Sequence, residues 1–166
     1  MFSDLGALSP LDGRYYSSAK ELNAYFSEAA LMQYRIYVEV EYLLALAKQK
    51  EIRKRLLIDD KEQSKLRKLY QSFDLNAAKE IKEIEKKINH DVKAVEYYIQ
   101  DKTRSSLHPW IHFALTSEDV NNISYSLMWK HALEKVYLPS ALSLQRKLLD
   151  LIREHRKSPM LSLTLG

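Results

Sequence analysis

The sequence predicts an all-α fold, on three observations. Only three glycines (Gly6, Gly13, Gly166) and four prolines (Pro10, Pro109, Pro139, Pro159) occur in 166 residues, too few turn formers for many short strands. Apolar residues recur every three or four positions over long stretches, the spacing of helices with one buried face. Hydrophobic residues make up 46% and charged residues 29%, a balance that builds a core rather than a disordered chain.

Each element can be placed in order. Ser9 to Tyr15 is polar and turn-prone and reads as an exposed loop. Leu22, Tyr25, Ala29, Met32, Ile36, Val40, Leu43 and Ala47 then predict one long helix. Asp59 or Asp60 can cap a second helix carrying Leu66, Leu69 and Phe73, and Asp74 a third carrying Ile81, Ile84 and Ile88. Asn89-His90-Asp91 breaks that pattern, with Asp91 placed to cap a helix through Val92, Val95 and Ile99 and His90 at the junction. Ser106 and Pro109 suggest a short helix holding Trp110, His112 and Phe113 and ending near Thr116. Thr116 with Asp119 resembles a capping box, opening a helix whose core face would be Val120, Ile123, Leu127 and Met128. Pro139 should interrupt that run, and a last helix through Leu142, Leu148, Leu149 and Ile152 should end before Pro159. The apolar residues Ile123, Leu127, Leu142, Leu149 and Ile152 need a covering surface, so self-association is expected.

Composition excludes several classes. The absence of cysteine removes any disulfide framework or thiolate metal site and agrees with a reducing cytosol. Neither a signal peptide nor a run of about 20 apolar residues occurs, so a soluble cytoplasmic protein without a membrane partner is expected. The net charge is +4, yet bases alternate with acids, as in Lys79-Glu80-Ile81-Lys82-Glu83, so no nucleic-acid partner is expected. Neither a nucleotide-binding glycine loop nor a zinc-type motif is present, and no metal is expected.

Three segments carry candidate chemistry, each with a plainer alternative. Ser9 to Tyr15 is an ordinary amino-terminal arm, or a tight turn at Gly13 from which Arg14 offers a fork of donors to a phosphate or carboxylate. Asn89-His90-Asp91 is a helix cap, or an amide, imidazole and carboxylate gathered at an anion-favouring helix start. His112 is a core histidine, or shares a helix face with Thr116, four residues on, beside Ser117.

Taken together, Ser-Pro-Leu-Asp-Gly-Arg-Tyr at 9–15, Ile-Asn-His-Asp-Val-Lys-Ala-Val-Glu-Tyr at 88–97 and Trp-Ile-His-Phe-Ala-Leu-Thr-Ser-Glu-Asp-Val-Asn-Asn at 110–122 resemble the amino-terminal part of bacterial adenylosuccinate lyases. These belong to the fumarase and aspartase superfamily, whose first shared motif Thr-Ser-x-Asp resembles. The resemblance spans essentially the whole chain. It implies an amino-terminal helical domain over 1–115 and, over 116–166, the truncated start of a central helical bundle that assembles into a homotetramer. It also implies elimination of fumarate from adenylosuccinate to give AMP, and from the succinyl-carboxamide ribotide of purine biosynthesis, without a cofactor. By the same resemblance Arg14 and Tyr15 contact the nucleotide phosphate, and Asn89, His90 and Asp91 contact ribose and phosphate. His112 is a further phosphate-side histidine, and Thr116 and Ser117 hold the succinyl carboxylate.

The chain departs from the family at its end. Where the family reads Arg-Thr-His-Gly, with the histidine as general acid, the sequence reads Leu163-Thr164-Leu165-Gly166. Thr164 and Gly166 stay in register, so two point differences or sequence errors explain the leucines better than a frameshift. With Leu165 at the general-acid position no catalytic residue is intact, and the mobile loop whose serine acts as base is absent. The expectation is a lyase fragment that binds purine nucleotide but is inactive alone. The alternative is a stand-alone helical binding or assembly protein derived from a lyase.

Overall fold

The computed structural model describes residues 7–159. Leu163, Thr164, Leu165 and Gly166 lie outside them. Among the described residues the regular structure is helical throughout, with no strand, and no helix is long and apolar enough to cross a membrane. Short helical turns at Tyr16–Ala19, Lys20–Leu22 and Asn23–Phe26 lead into α1 (Glu28–Leu46). There follow α2 (Asp60–Gln71), α3 (Leu75–Ile88), α4 (Asp91–Asp101), a 3₁₀ turn at Ser105–Trp110, α5 (Ser117–Ala132) and α6 (Leu138–His155).

The long helix begins at Glu28 rather than near Leu22. Ser27 has extended backbone (φ −75, ψ 160) and its side chain accepts the N–H of Ala30, a hydroxyl cap that outcompetes continuation of the apolar period. The caps at Asp59 and Asp74 form as expected, accepting from Glu62 and from Asn76 and Ala77 respectively.

α1 is the central element, packed along α2, α4 and α5, while α3 and α4 pack on each other. Ile36, Val40 and Leu43 of α1 meet Leu66 of α2, Ile81 of α3 and Val95 and Ile99 of α4 in one core. Burying an aliphatic side chain of this kind contributes about 1.5–3 kcal/mol.

The inward face of α5 is Val120, Ser124, Met128 and Ala132. Ile123, expected inside, is half exposed, because α1 sets the docking direction one position away from the sequence's most apolar stripe. Pro139 does not end the run. A π-helical turn at Leu133–Tyr137, closed by the Leu138 N–H on the Leu133 carbonyl, joins α5 to α6. The wider turn accommodates a residue that lacks an N–H and crowds the carbonyl four residues back. The resulting rod from Ser117 to His155 is about 58 Å long at 1.5 Å per residue. No residue of α6 is buried.

Candidate functional site

The segment Asn89-His90-Asp91 is built by a sharp reversal between α3 and α4. Asn89 ends α3 in the left-handed region (φ 54, ψ 41), its N–H on the Glu85 carbonyl. Asparagine tolerates that conformation better than any residue except glycine. His90 then extends (φ −150, ψ 113) and caps α4, its Nδ1 accepting the Lys93 N–H at 3.2 Å. The cap is therefore His90 and not Asp91, the first residue of the helix.

Asp91 is drawn instead to Arg35. The guanidinium, 4% exposed in the middle of α1, donates from Nη2 to Asp91 Oδ2 at 2.7 Å and from Nε to Asn121 Oδ1 at 2.9 Å. Burial alone would raise the Asp91 carboxyl, but Arg35 and the Val92 N–H outweigh it and hold the group below its ordinary value. One buried cation thus fastens the start of α4 to the second turn of α5.

One helical turn along α1, Glu39 performs a parallel task. It is 2% exposed, accepts the backbone N–H of His112 at 3.1 Å and lies 2.5 Å from His112 Nδ1. Glu96 of α4 stands 3.8 Å from His112 Nε2 and accepts from Lys93 Nζ at 2.7 Å. Burial pushes the Glu39 carboxyl up and the Glu96 charge adds to this, while the hydrogen bond and charge of His112 pull the other way. His112 is not on a helix. The 3₁₀ turn stops at Trp110, and His112 and Ala114 both adopt positive φ (60 and 58), so the expected shared helix face with Thr116 does not exist. The Tyr42 hydroxyl donates to the Phe113 carbonyl at 2.9 Å, giving this strained loop a second anchor on α1.

Thr116 caps α5 in the expected box. Asp119 Oδ2 accepts the Thr116 N–H at 2.7 Å and its hydroxyl at 2.8 Å, and the Asp119 N–H reaches Thr116 Oγ1 at 3.4 Å. The Thr116 donors lower the Asp119 carboxyl. The N–H groups of Ser117 and Glu118, in the first turn of α5, have no intrahelical acceptor and can meet an anion.

Arg14 and Tyr15 are exposed, with the guanidinium 5.1 Å above the Tyr15 ring. Among the described residues no hydrogen bond or ion pair ties either side chain to the other site segments. Gly13 is buried and is not at positive φ. What it supplies is the missing side chain, not a left-handed turn.

Four residues central to this geometry escaped the sequence reading: Arg35, Glu39, Glu96 and Asn121. A signal existed for two of them. Arg35 and Glu39 flank Ile36 and Val40 four residues apart, so they lie on or beside the apolar face of a helix, where an unpaired charge would not be tolerated.

The family model described as lyase matches residues 13–166. The chain is 42% identical over 167 residues to the adenylosuccinate lyase of Legionella pneumophila. It is 39% identical over 175 residues to that of Dictyostelium discoideum and 41% identical over 169 residues to that of Escherichia coli. These alignments take in 98–99% of this chain and 37% of each relative, so the chain spans little more than a third of their length. It belongs to the lyase family and is similar, over nearly all of its residues, to the amino-terminal part of adenylosuccinate lyases.

Proposed function

We propose that this chain is the substrate-binding, amino-terminal portion of an adenylosuccinate lyase, with 1–115 as a helical domain and 116–166 as the opening of a central bundle. The observation that carries the reading is the gathering of Asn89–Asp91 and His112–Ser117 around one stripe of α1. Arg35 and Glu39 hold the two segments there.

In this reading Arg14 and Tyr15 take the nucleotide phosphate, and Asn89, His90, Asp91 and His112 line the ribose and phosphate. Thr116 and Ser117 hold the succinyl carboxylate with the first-turn N–H groups. The reaction removes a proton beside a carboxylate and expels an amine, releasing fumarate, so it needs a base, an acid and donors for the developing negative charge. The chain supplies the last of these. Leu165 stands at the general-acid position and has no titratable proton.

The exposed residues Leu142, Leu148, Leu149 and Ile152 on α6 support a homo-oligomer in which further helices cover the rod. A cytoplasmic location suits such a purine-pathway enzyme.

The test is a spectrophotometric assay of adenylosuccinate cleavage by the purified chain, with and without Leu165→His. Neither should turn over, since loss of positioned acid and base each costs on the order of 10² to 10⁴ in rate. Turnover by the unmodified chain that survives removal of host lyase contradicts the reading.

A further inference from the structure

We propose that Glu39 is a positioning residue for His112: its carboxylate takes both the backbone N–H and the Nδ1–H of that residue, so that Nε2 is the ring atom left to face a ligand. The inference rests on the reading of His112 as a ligand contact.

Three observations converge on it. First, Glu39 lies in the middle of α1, where its carboxylate is almost wholly withdrawn from water. A group in that position persists only when its acceptor capacity is used. Second, both oxygens are committed to one residue, Oε2 to the main-chain N–H at 3.1 Å and Oε1 to Nδ1 at 2.5 Å. An ionised carboxylate only accepts, so Nδ1 must carry the proton. Third, His112 has φ 60, a conformation that costs on the order of 1–3 kcal/mol for a residue other than glycine and persists only where surrounding contacts enforce it. The two-point grip of Glu39 is such a contact, with Tyr42 holding the next carbonyl.

Nε2 has no hydrogen-bond partner among the described residues. The nearest carboxylate oxygen, Glu96 Oε1, is 3.8 Å away, beyond hydrogen-bond distance, while the other oxygen of Glu96, Oε2, accepts from Lys93 Nζ at 2.7 Å. The arrangement follows the logic by which a buried carboxylate fixes the tautomer and orientation of a working imidazole.

The experiment is long-range ¹H–¹⁵N NMR of the whole chain labelled on histidine, for the unmodified protein and Glu39→Gln, with AMP as probe. The amide of glutamine keeps the volume but can accept only one of the two His112 donors well. The unmodified chain should show His112 protonated at Nδ1. In Glu39→Gln that signature should be lost or mixed, and the AMP dissociation constant should rise at least about tenfold, the worth of a charge-assisted hydrogen bond. His112 protonated only at Nε2 in the unmodified chain overturns the proposal, and this result does not depend on whether the variant folds. So does a folded variant with an unchanged tautomer or unchanged AMP affinity. If neither chain binds AMP, the functional reading fails, while the tautomer comparison still decides the role of Glu39.

Discussion

Arg35, deep in α1, and Asp91, the first residue of α4, are joined by an ion pair of 2.7 Å whose two ends differ in exposure: 5% for the arginine side chain and 53% for the aspartate. Removing the aspartate strands a buried cation, whereas removing the arginine leaves a carboxylate that water can reach. Asp91→Asn should therefore destabilise the chain by about 1–2 kcal/mol, less than a fully buried pair because the aspartate is half solvated. Urea unfolding with an unchanged m-value measures this directly.

The same pair sets part of the acid response. Asp91 is held below its ordinary value in the folded chain. Its contribution is fully present above the unfolded pKa of about 3.9 and is lost as pH falls through the lower folded value. Glu39 has the opposite sign: its carboxyl is raised, so its ionisation weakens the fold as pH climbs above about 4.3. In Asp91→Asn the loss of stability below pH 4 should be shallower than in the parent, read from urea midpoints between pH 3 and pH 6.

An alkaline limit is expected from the link between α1 and α2. Burial, and then the hydrogen bond to Glu41, push the Tyr70 hydroxyl from 10.0 up to about 12. The unfolded chain releases this proton near pH 10 while the folded chain retains it, so stability falls as pH rises through that window. Tyr70→Phe should flatten the fall. A residual slope should remain from Tyr34 and Tyr98, whose hydroxyls burial also raises.

Asn89 separates fold from binding. Its backbone is left-handed, so Asn89→Gly should leave stability unchanged or slightly improved, and Asn89→Ala should cost about 1 kcal/mol. Both variants delete the amide, and both should weaken AMP binding equally. Thermal unfolding alongside a binding titration distinguishes the two effects.

Much of the fold was legible because local signals were strong. The caps at Asp59, Asp74 and Thr116 are side chain to backbone contacts spanning two or three residues, which a sequence displays openly. What eluded the sequence depended on long-range geometry. His90 became the cap of α4 only because Arg35, 56 residues away in sequence, claimed Asp91. The helix expected around His112 gave way to a left-handed loop because Glu39, 73 residues away, holds it. The candidate segments at 89–91 and 112–117 were visible as motifs, and Arg35 and Glu39 stand out beside an apolar helix face, but the long-range pairing of these two charges with those segments was not visible.

The most direct measurement is an amide ¹H–¹⁵N chemical-shift map of the whole chain titrated with AMP. Shifts concentrated at Arg14, Asn89 to Asp91, His112, Thr116 and Ser117, on one saturating curve, are the expected result. Absence of saturable shifts at millimolar AMP would contradict the proposed function. So would shifts centred instead on the cleft of about 240 Å³ lined by Lys65, Lys102 and Arg104, which would mean that the nucleotide answers to surface charge and not to the gathered segments.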